Sequence, residues 1–150
     1  SKHLDEYSMI GEGRDGKDEG EYSAIYYKNK KLRLEKHETF WLSETPQKPT
    51  IGWDAALNRI ATVGVFTTLN SNKKLVVYNS HFDHIGKIAR EKSVNLIIYH
   101  IKSNDYFKNT IVVMGDFNSV PSETPIKLLK NNLDDTFDKF QHKKPHFVCN

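Results

Sequence analysis

The chain has 150 residues, 37 % hydrophobic and 27 % charged, with a net charge of +3. That length suits one domain able to bury roughly 70 % of its unfolded surface, and the charge suits an anionic substrate while being too mild to argue for nucleic acid by itself. The single Cys149 excludes an internal disulfide, no apolar stretch approaches membrane-spanning length, Ser1-Lys2-His3-Leu4-Asp5 does not read as a signal peptide, and nothing fixes the compartment.

Tyr7 to Ile10 has the pattern of a short strand. Gly11 to Gly20 is glycine-rich and charged and reads as a loop. Arg14 within it is available to an anion, with a solvated loop arginine as the plainer reading. Tyr22 to Tyr27 is an aromatic-rich strand, and Leu32 to Glu38 is expected as its hairpin partner across Lys28-Asn29-Lys30-Lys31. Glu21, just before that strand, reads as an exposed edge residue. Ser43 to Gly52 is a polar loop with two prolines, and Ala55 to Asn58 is expected to form a helical turn at most. Trp53 is expected to cap the core rather than stack on a substrate ring.

Arg59 to Thr68 places Ile60, Thr62, Gly64 and Phe66 on one side and Ala61, Val63 and Val65 on the other. Both sides are largely apolar, which predicts a central strand. Asn70-Ser71-Asn72 turns the chain into a strand at Leu75 to Asn79. Ile85, Ile88, Ala89, Val94, Ile97, Ile98 and Ile101 then recur at helical spacing, with Lys87, Arg90, Glu91, Lys92 and Lys102 on a solvated face. Asn109 to Met114 is the next strand, and its run Ile111-Val112-Val113-Met114 predicts burial on both faces. Ser122 to Asn131 is a second helix, with Ser122 as N-cap and Pro125 in the first turn. Leu133 to Phe140 carries no clear pattern. Strands followed by strand-helix-strand-helix make a mixed α/β chain of one domain, residues 1–150, with no repeat or linker.

Two strand ends carry the chemistry. Gly115-Asp116-Phe117-Asn118 follows one apolar run, and Asn79-Ser80-His81-Phe82-Asp83-His84 ends another. Alternate strand residues point the same way, so Asp116 and Asn118 can face one site. Asp116 offers a base or a metal ligand, and Asn118 a donor and an acceptor. The bland reading is an Asp and an Asn serving a turn. The second segment tips the balance, because sites in open α/β sheets form outside such strand ends. His81 is placed to donate to a phosphoryl oxygen, with Asp83 or His84 bracing it from behind. Arg59 is either a phosphate clamp or a buried partner for an aspartate such as Asp54.

These motifs resemble the endonuclease/exonuclease/phosphatase superfamily. Glu21 to Lys28, Thr39 to Pro46, Gly52-Trp53-Asp54 and Asn58 to Thr62 look like successive landmarks of one bacterial branch, in order. The resemblance implies a DNase-like four-layer sandwich of two mixed β-sheets flanked by helices. It implies hydrolysis of a phosphodiester or phosphomonoester, with Mg2+ or Mn2+ as cofactor and Asp116 and Asn118 as ligands. Asp116 would orient or deprotonate water, Asn118 would keep Asp116 and phosphate in register, and His81 would donate to a non-bridging oxygen. Asp83 and His84 would support this set, and Arg59 would bind substrate. Further expected landmarks, an Asn and a metal-binding Glu before Tyr7 and an Asp and Ser-Asp-His after Asn150, are not in the sequence. His142 and His146 do not match the terminal histidine. The chain therefore looks like the central part of a domain, and its ligand count predicts weak Mg2+ binding on its own. The alternative is a non-catalytic phosphate- or nucleic-acid-binding module of the same fold. The expected partner is a phosphate ester, nucleic acid among the candidates; nothing points to a protein partner.

Overall fold

The structure, a computed structural model, describes residues 5–140. His142, His146 and Cys149 lie outside the described residues. The elements run β1 (Tyr7–Ile10), β2 (Ile25–Lys28), β3 (Leu32–Trp41), β4 (Ile60–Thr68), β5 (Lys74–His81), α1 (Lys87–Ser103), β6 (Thr110–Asp116), α2 (Thr124–Lys130) and α3 (Thr136–Phe140), with a 3-10 turn at Tyr106–Lys108. β1 and β2 form one antiparallel sheet. A second sheet has the order β3-β4-β5-β6. Among the described strands only β5 and β6 are parallel, and α1 makes the crossover that parallel neighbours require.

β4 is the axis of the fold, with Ile60 to Thr67 buried. Its Ala61, Val63 and Val65 join Val76 and Tyr78 of β5 beneath Val94, Ile97, Ile98 and Ile101 of α1. On the opposite face, Phe66 and Val77 pack against Ile10 of β1 and Ile25 of β2. The smaller sheet and α1 thus cover opposite faces of the larger sheet. A bulge between Leu34 and Lys36 of β3 makes one strand serve both: Leu32 and Leu34 pack on the second cluster, and Phe40 beyond the bulge joins the first. This is the two-sheet α/β architecture anticipated above.

Several expected elements came out differently. The turn at Lys28–Lys31 forms, with Lys31 N–H donating to the Lys28 carbonyl at 2.9 Å, but the strands it joins enter different sheets. β2 pairs with β1, and β3 pairs with β4 along nearly its whole length. A long strand buried on both faces offers β3 far more ladder and packing than the four-residue β2 does. β6 is not buried on both faces. It ends the described sheet, and Val112 and Met114 are 41 % and 40 % exposed, because the two-stranded sheet reaches only over β4 and β5. An apolar run reports the composition of a strand, not how many neighbours cover it.

The helix pattern also misassigns its first turn. Ile85 and Ile88 are exposed, whereas Arg90 is buried and its Nη1 donates to the Asp83 carbonyl at 3.1 Å. The N-terminus of α1 is capped from a distance: Asp54 accepts from the backbone N–H of Ile88 at 3.2 Å and of Ala89 at 2.7 Å, which satisfies two of the first-turn donors. α2 starts at Thr124 with Glu123 at the N-cap position, so Ser122 is not the cap; Pro125 lies in the first turn as expected. Ala55 to Asn58 bends without a helical turn. Trp53 is half-buried in the left-handed region, φ 50°, and belongs to neither core cluster. Its N–H is held by the Glu44 carboxylate at 3.2 Å.

Candidate functional site at the ends of the parallel strands

β5 and β6 end together, with His81 opposite Asp116 in the parallel register. Gly115 allows the approach. Its φ is 134°, and a Cβ there would run into the Ser80 carbonyl, so only glycine fits. Past the strands, Phe82 N–H donates to the Asp116 carbonyl at 2.9 Å. Asn118, at φ 46°, returns the tie: its Nδ2 donates to the Phe82 carbonyl at 2.9 Å, and its N–H donates to Asp116 Oδ1, also at 2.9 Å. Asn118 therefore locks the two strand ends together and orients the Asp116 carboxylate with its backbone. Asp116 Oδ2 is left 3.7 Å from His81 Nε2, on a side chain that is 64 % exposed.

The other edge of His81 is held by Glu21, not by Asp83 or His84. Nδ1 lies 3.1 Å from Glu21 Oε1, and as a carboxylate only accepts, Nδ1 is the donor. Glu21 Oε2 in turn takes Arg14 Nη1 at 2.8 Å. Asp83 and His84 turn to Arg59 instead. Arg59 Nε lies 3.4 Å from Asp83 Oδ2, and Nη2 lies 3.0 Å from His84 Nδ1. Arg59 and Asp83 are both buried. Asp54, the partner named from the sequence, is occupied in capping α1. Arg59 Nη1 points toward Glu21 Oε2 at 4.0 Å, so the guanidinium is held on two corners and presents the third to the site.

Asp83 is the electrostatic anchor of this layer. Burial alone would raise its pKa. The backbone N–H groups of Gly86, Ile85 and Ala56 and the Arg59 guanidinium outweigh burial and hold the carboxyl well below the usual carboxylate range. Its buried charge is thereby satisfied by four donors rather than by Arg59 alone.

The sequence placed His81, Asp116 and Asn118 together, and the structure brings them to one strand-end site. It missed Glu21 and Arg14. The one signal at Glu21 is its place at the head of Glu21 to Lys28, a landmark of the resemblance; locally it is only a polar residue directly before an aromatic strand. Arg14 sits in a loop that looks solvated, yet the loop folds back: Arg14 N–H donates to the Glu21 carbonyl at 3.0 Å, and Trp41 Nε1 donates to the Arg14 carbonyl at 2.6 Å. A broad groove of about 910 Å³ lies elsewhere, between β6 and α2, and includes none of these residues.

For a divalent ion such as Mg2+, the donor type fits: a carboxylate at Asp116 and an amide oxygen at Asn118 are hard oxygen ligands. The donor number is small, since among the described residues no three His, Cys, Asp or Glu side chains group as a metal site. No helix among the described residues is long and apolar enough to cross a membrane.

The two-sheet α/β fold thus carries an acid, a histidine and an amide at neighbouring strand ends. No protein-family profile matches the chain. It is similar to an endonuclease/exonuclease/phosphatase family protein of Bacteroides thetaiotaomicron, with 38 % identity and a TM-score of 0.82 over 87 % of this chain and 48 % of that one. It is similar also to a mannosyl-6-phosphatase of the same organism, with 39 % identity and a TM-score of 0.82 over 87 % of this chain and 49 % of that one. An uncharacterized protein of Acanthamoeba polyphaga mimivirus is 34 % identical over 113 residues, 73 % of this chain and 42 % of the relative. The chain belongs to the endonuclease/exonuclease/phosphatase superfamily. It spans about half the length of the solved relatives it matches.

Proposed function

We propose that the protein carrying this chain hydrolyses phosphoester bonds, with His81, Asp116 and Asn118 at the reacting centre and Mg2+ or Mn2+ as cofactor. One observation carries the reading: His81 Nε2 and Asp116 Oδ2 face each other at 3.7 Å on strand ends locked by Asn118. A phosphoryl group docking beside this pair is within reach of both the histidine edge and the carboxylate. Asp116, fixed through Oδ1, orients an attacking water and receives its proton through Oδ2. His81, held at Nδ1 by Glu21, stabilises charge developing on a non-bridging oxygen by donating from Nε2, which requires the ring to carry a proton on both nitrogens. Arg59 offers its Nη1 corner to a phosphate oxygen. Asp83 and His84 hold Arg59 in place.

When bound, the divalent ion would polarise the phosphoryl group, with Asp116 and Asn118 as its ligands from this chain. Among substrates a phosphomonoester comes first, because one relative at 39 % identity is a mannosyl-6-phosphatase.

The test uses the full-length protein on hexose phosphates, nucleotides and a phosphodiester, with and without chelator. Asp116→Asn keeps the shape and removes the carboxylate. Turnover that depends on the metal and falls by about 10²–10⁴-fold in the variant is expected. Full activity in Asp116→Asn, or turnover indifferent to the chelator, overturns the proposal.

A further inference from the structure

Glu21 is the loosest member of the charged chain that reaches the site. Its side chain is 51 % exposed, against 20 % for Arg14 and 29 % for His81. An exposed glutamate left to itself samples several rotamers, and ordering it costs side-chain entropy. Nevertheless its two oxygens have different partners, Oε2 close to Arg14 Nη1 at 2.8 Å with Arg59 Nη1 further off at 4.0 Å, and Oε1 to His81 Nδ1 at 3.1 Å.

Arg14 is able to impose that division because its own backbone is fixed on both sides. Its N–H is bonded to the Glu21 carbonyl, and its carbonyl is bonded to the Trp41 indole. Gly13, one residue earlier, bridges to Tyr22, at a spot where a Cβ would collide with the Glu19 backbone. Asp15, one residue later, accepts from Asn58 Nδ2 at 2.9 Å. The loop is thus anchored to β3 and to the entry of β4, and it presents one guanidinium to one carboxylate. A cationic guanidinium is well suited to this, since its hydrogen bonds to carboxylate are charge-assisted and directional.

We infer that Arg14 is a positioning residue for the phosphoester chemistry proposed above, on which this inference rests: it clamps Glu21 so that Glu21 holds His81 by Nδ1 and leaves the Nε2 edge facing Asp116. Arg14 acts through Glu21 and not on the substrate. Losing it leaves Glu21 only the more distant Arg59 Nη1 at 4.0 Å, too loose to fix its rotamer, and His81 then loses its fixed tautomer and ring orientation.

Two readouts on the full-length protein test this. The first is the tautomer of His81, read from the ring nitrogen chemical shifts at one fixed pH. The parent should show a proton held on Nδ1, and Arg14→Ala should show exchange between tautomers, with the folded fraction unchanged by circular dichroism. The second is the division of kinetic effects. Arg14→Ala should lower kcat by about 10–100-fold, the range seen when a histidine loses the group that orients it, with KM nearly unchanged. Arg14→Lys, which keeps charge without the fork, should recover part of the loss. In a Glu21→Gln background, Arg14→Ala should do nothing further. A rise in KM at constant kcat would mean that Arg14 binds substrate, and an unaltered His81 signature in Arg14→Ala would mean that Glu21 needs no clamp; either overturns the inference. If the parent shows no phosphoesterase turnover, the function proposal fails by itself, and the tautomer measurement still decides for or against the clamp.

Discussion

His81 and His100 have similar neighbours and opposite surroundings. His81, 29 % exposed at a strand end, stands between Glu21 and Asp116. His100, on α1 and 16 % exposed, stands between the Tyr78 hydroxyl at 2.7 Å and Glu38 Oε2 at 3.5 Å. It also stacks on Phe40 with ring centroids 4.8 Å apart, and Tyr106 approaches from the side. Burial pushes the Tyr78 hydroxyl far above its usual range, with smaller help from Tyr106 and Glu38. Tyr78 is therefore a donor, and His100 Nδ1 its acceptor. Burial likewise lowers the His100 pKa, against the opposing pull of Glu38. A polar triad is thus no mark of a reacting centre. What separates the two histidines is how far solvent, and hence a substrate, reaches the ring, 29 % exposed against 16 %.

The sharpest way to break that contrast is to remove each ring in turn. His81→Ala should lower kcat by about 10²–10⁴-fold and leave the unfolding midpoint nearly where it was. His100→Ala should do the reverse, keeping turnover while losing about 1–3 kcal/mol of stability, since it strands the buried Tyr78 hydroxyl. Denaturant curves and steady-state assays on the same preparations decide it. Loss of turnover in His100→Ala at full stability would make the helix histidine part of the chemistry.

A second contrast lies beneath the site. Arg59–Asp83 is buried and Arg14–Glu21 is half exposed. Asp83→Ala should cost about 3–5 kcal/mol, because it leaves the Arg59 charge buried without its carboxylate. Glu21→Gln should change stability by no more than about 1 kcal/mol. Asp83 also sets an acid limit. Its folded pKa lies below the unfolded value of about 3.9, so its contribution is whole above that pH and is lost as the pH falls through the lowered value. Equal destabilisation by Asp83→Ala and Glu21→Gln in urea would sink the distinction.

How much of this was legible beforehand depends on the range of each interaction. β4 was readable because both of its faces carry their own apolar pattern, and the strand-end motifs because each lies within six residues of sequence. The partners of β2 and β3 were not, since pairing is a competition between edges and the turn at Lys28–Lys31 specifies only a reversal. Asp54 capping α1, and Arg14 and Glu21 reaching His81, join residues between 34 and 67 positions apart. No local pattern encodes such contacts. Arg90 was misread because helical spacing weighs its charge and not the Asp83 carbonyl waiting beneath it.

The smallest expected effect is the pH dependence that His100 alone contributes. Its folded pKa is lowered by burial, while the unfolded chain titrates near about 6.5. As pH falls below that value, the unfolded state takes up a proton that the folded state still refuses. Stability from this group is therefore complete above about pH 6.5 and declines as pH falls toward the lowered pKa, by at most about 1.4 kcal/mol per pH unit. The groups facing the ring temper this: Glu38 favours the proton and Lys36 opposes it. His100→Gln has no such proton to take up, so urea midpoints for parent and variant should diverge most at neutral pH and converge toward pH 5. Parallel curves over that interval would show that His100 accepts its proton as readily folded as unfolded, and burial would then not be what sets the two histidines apart.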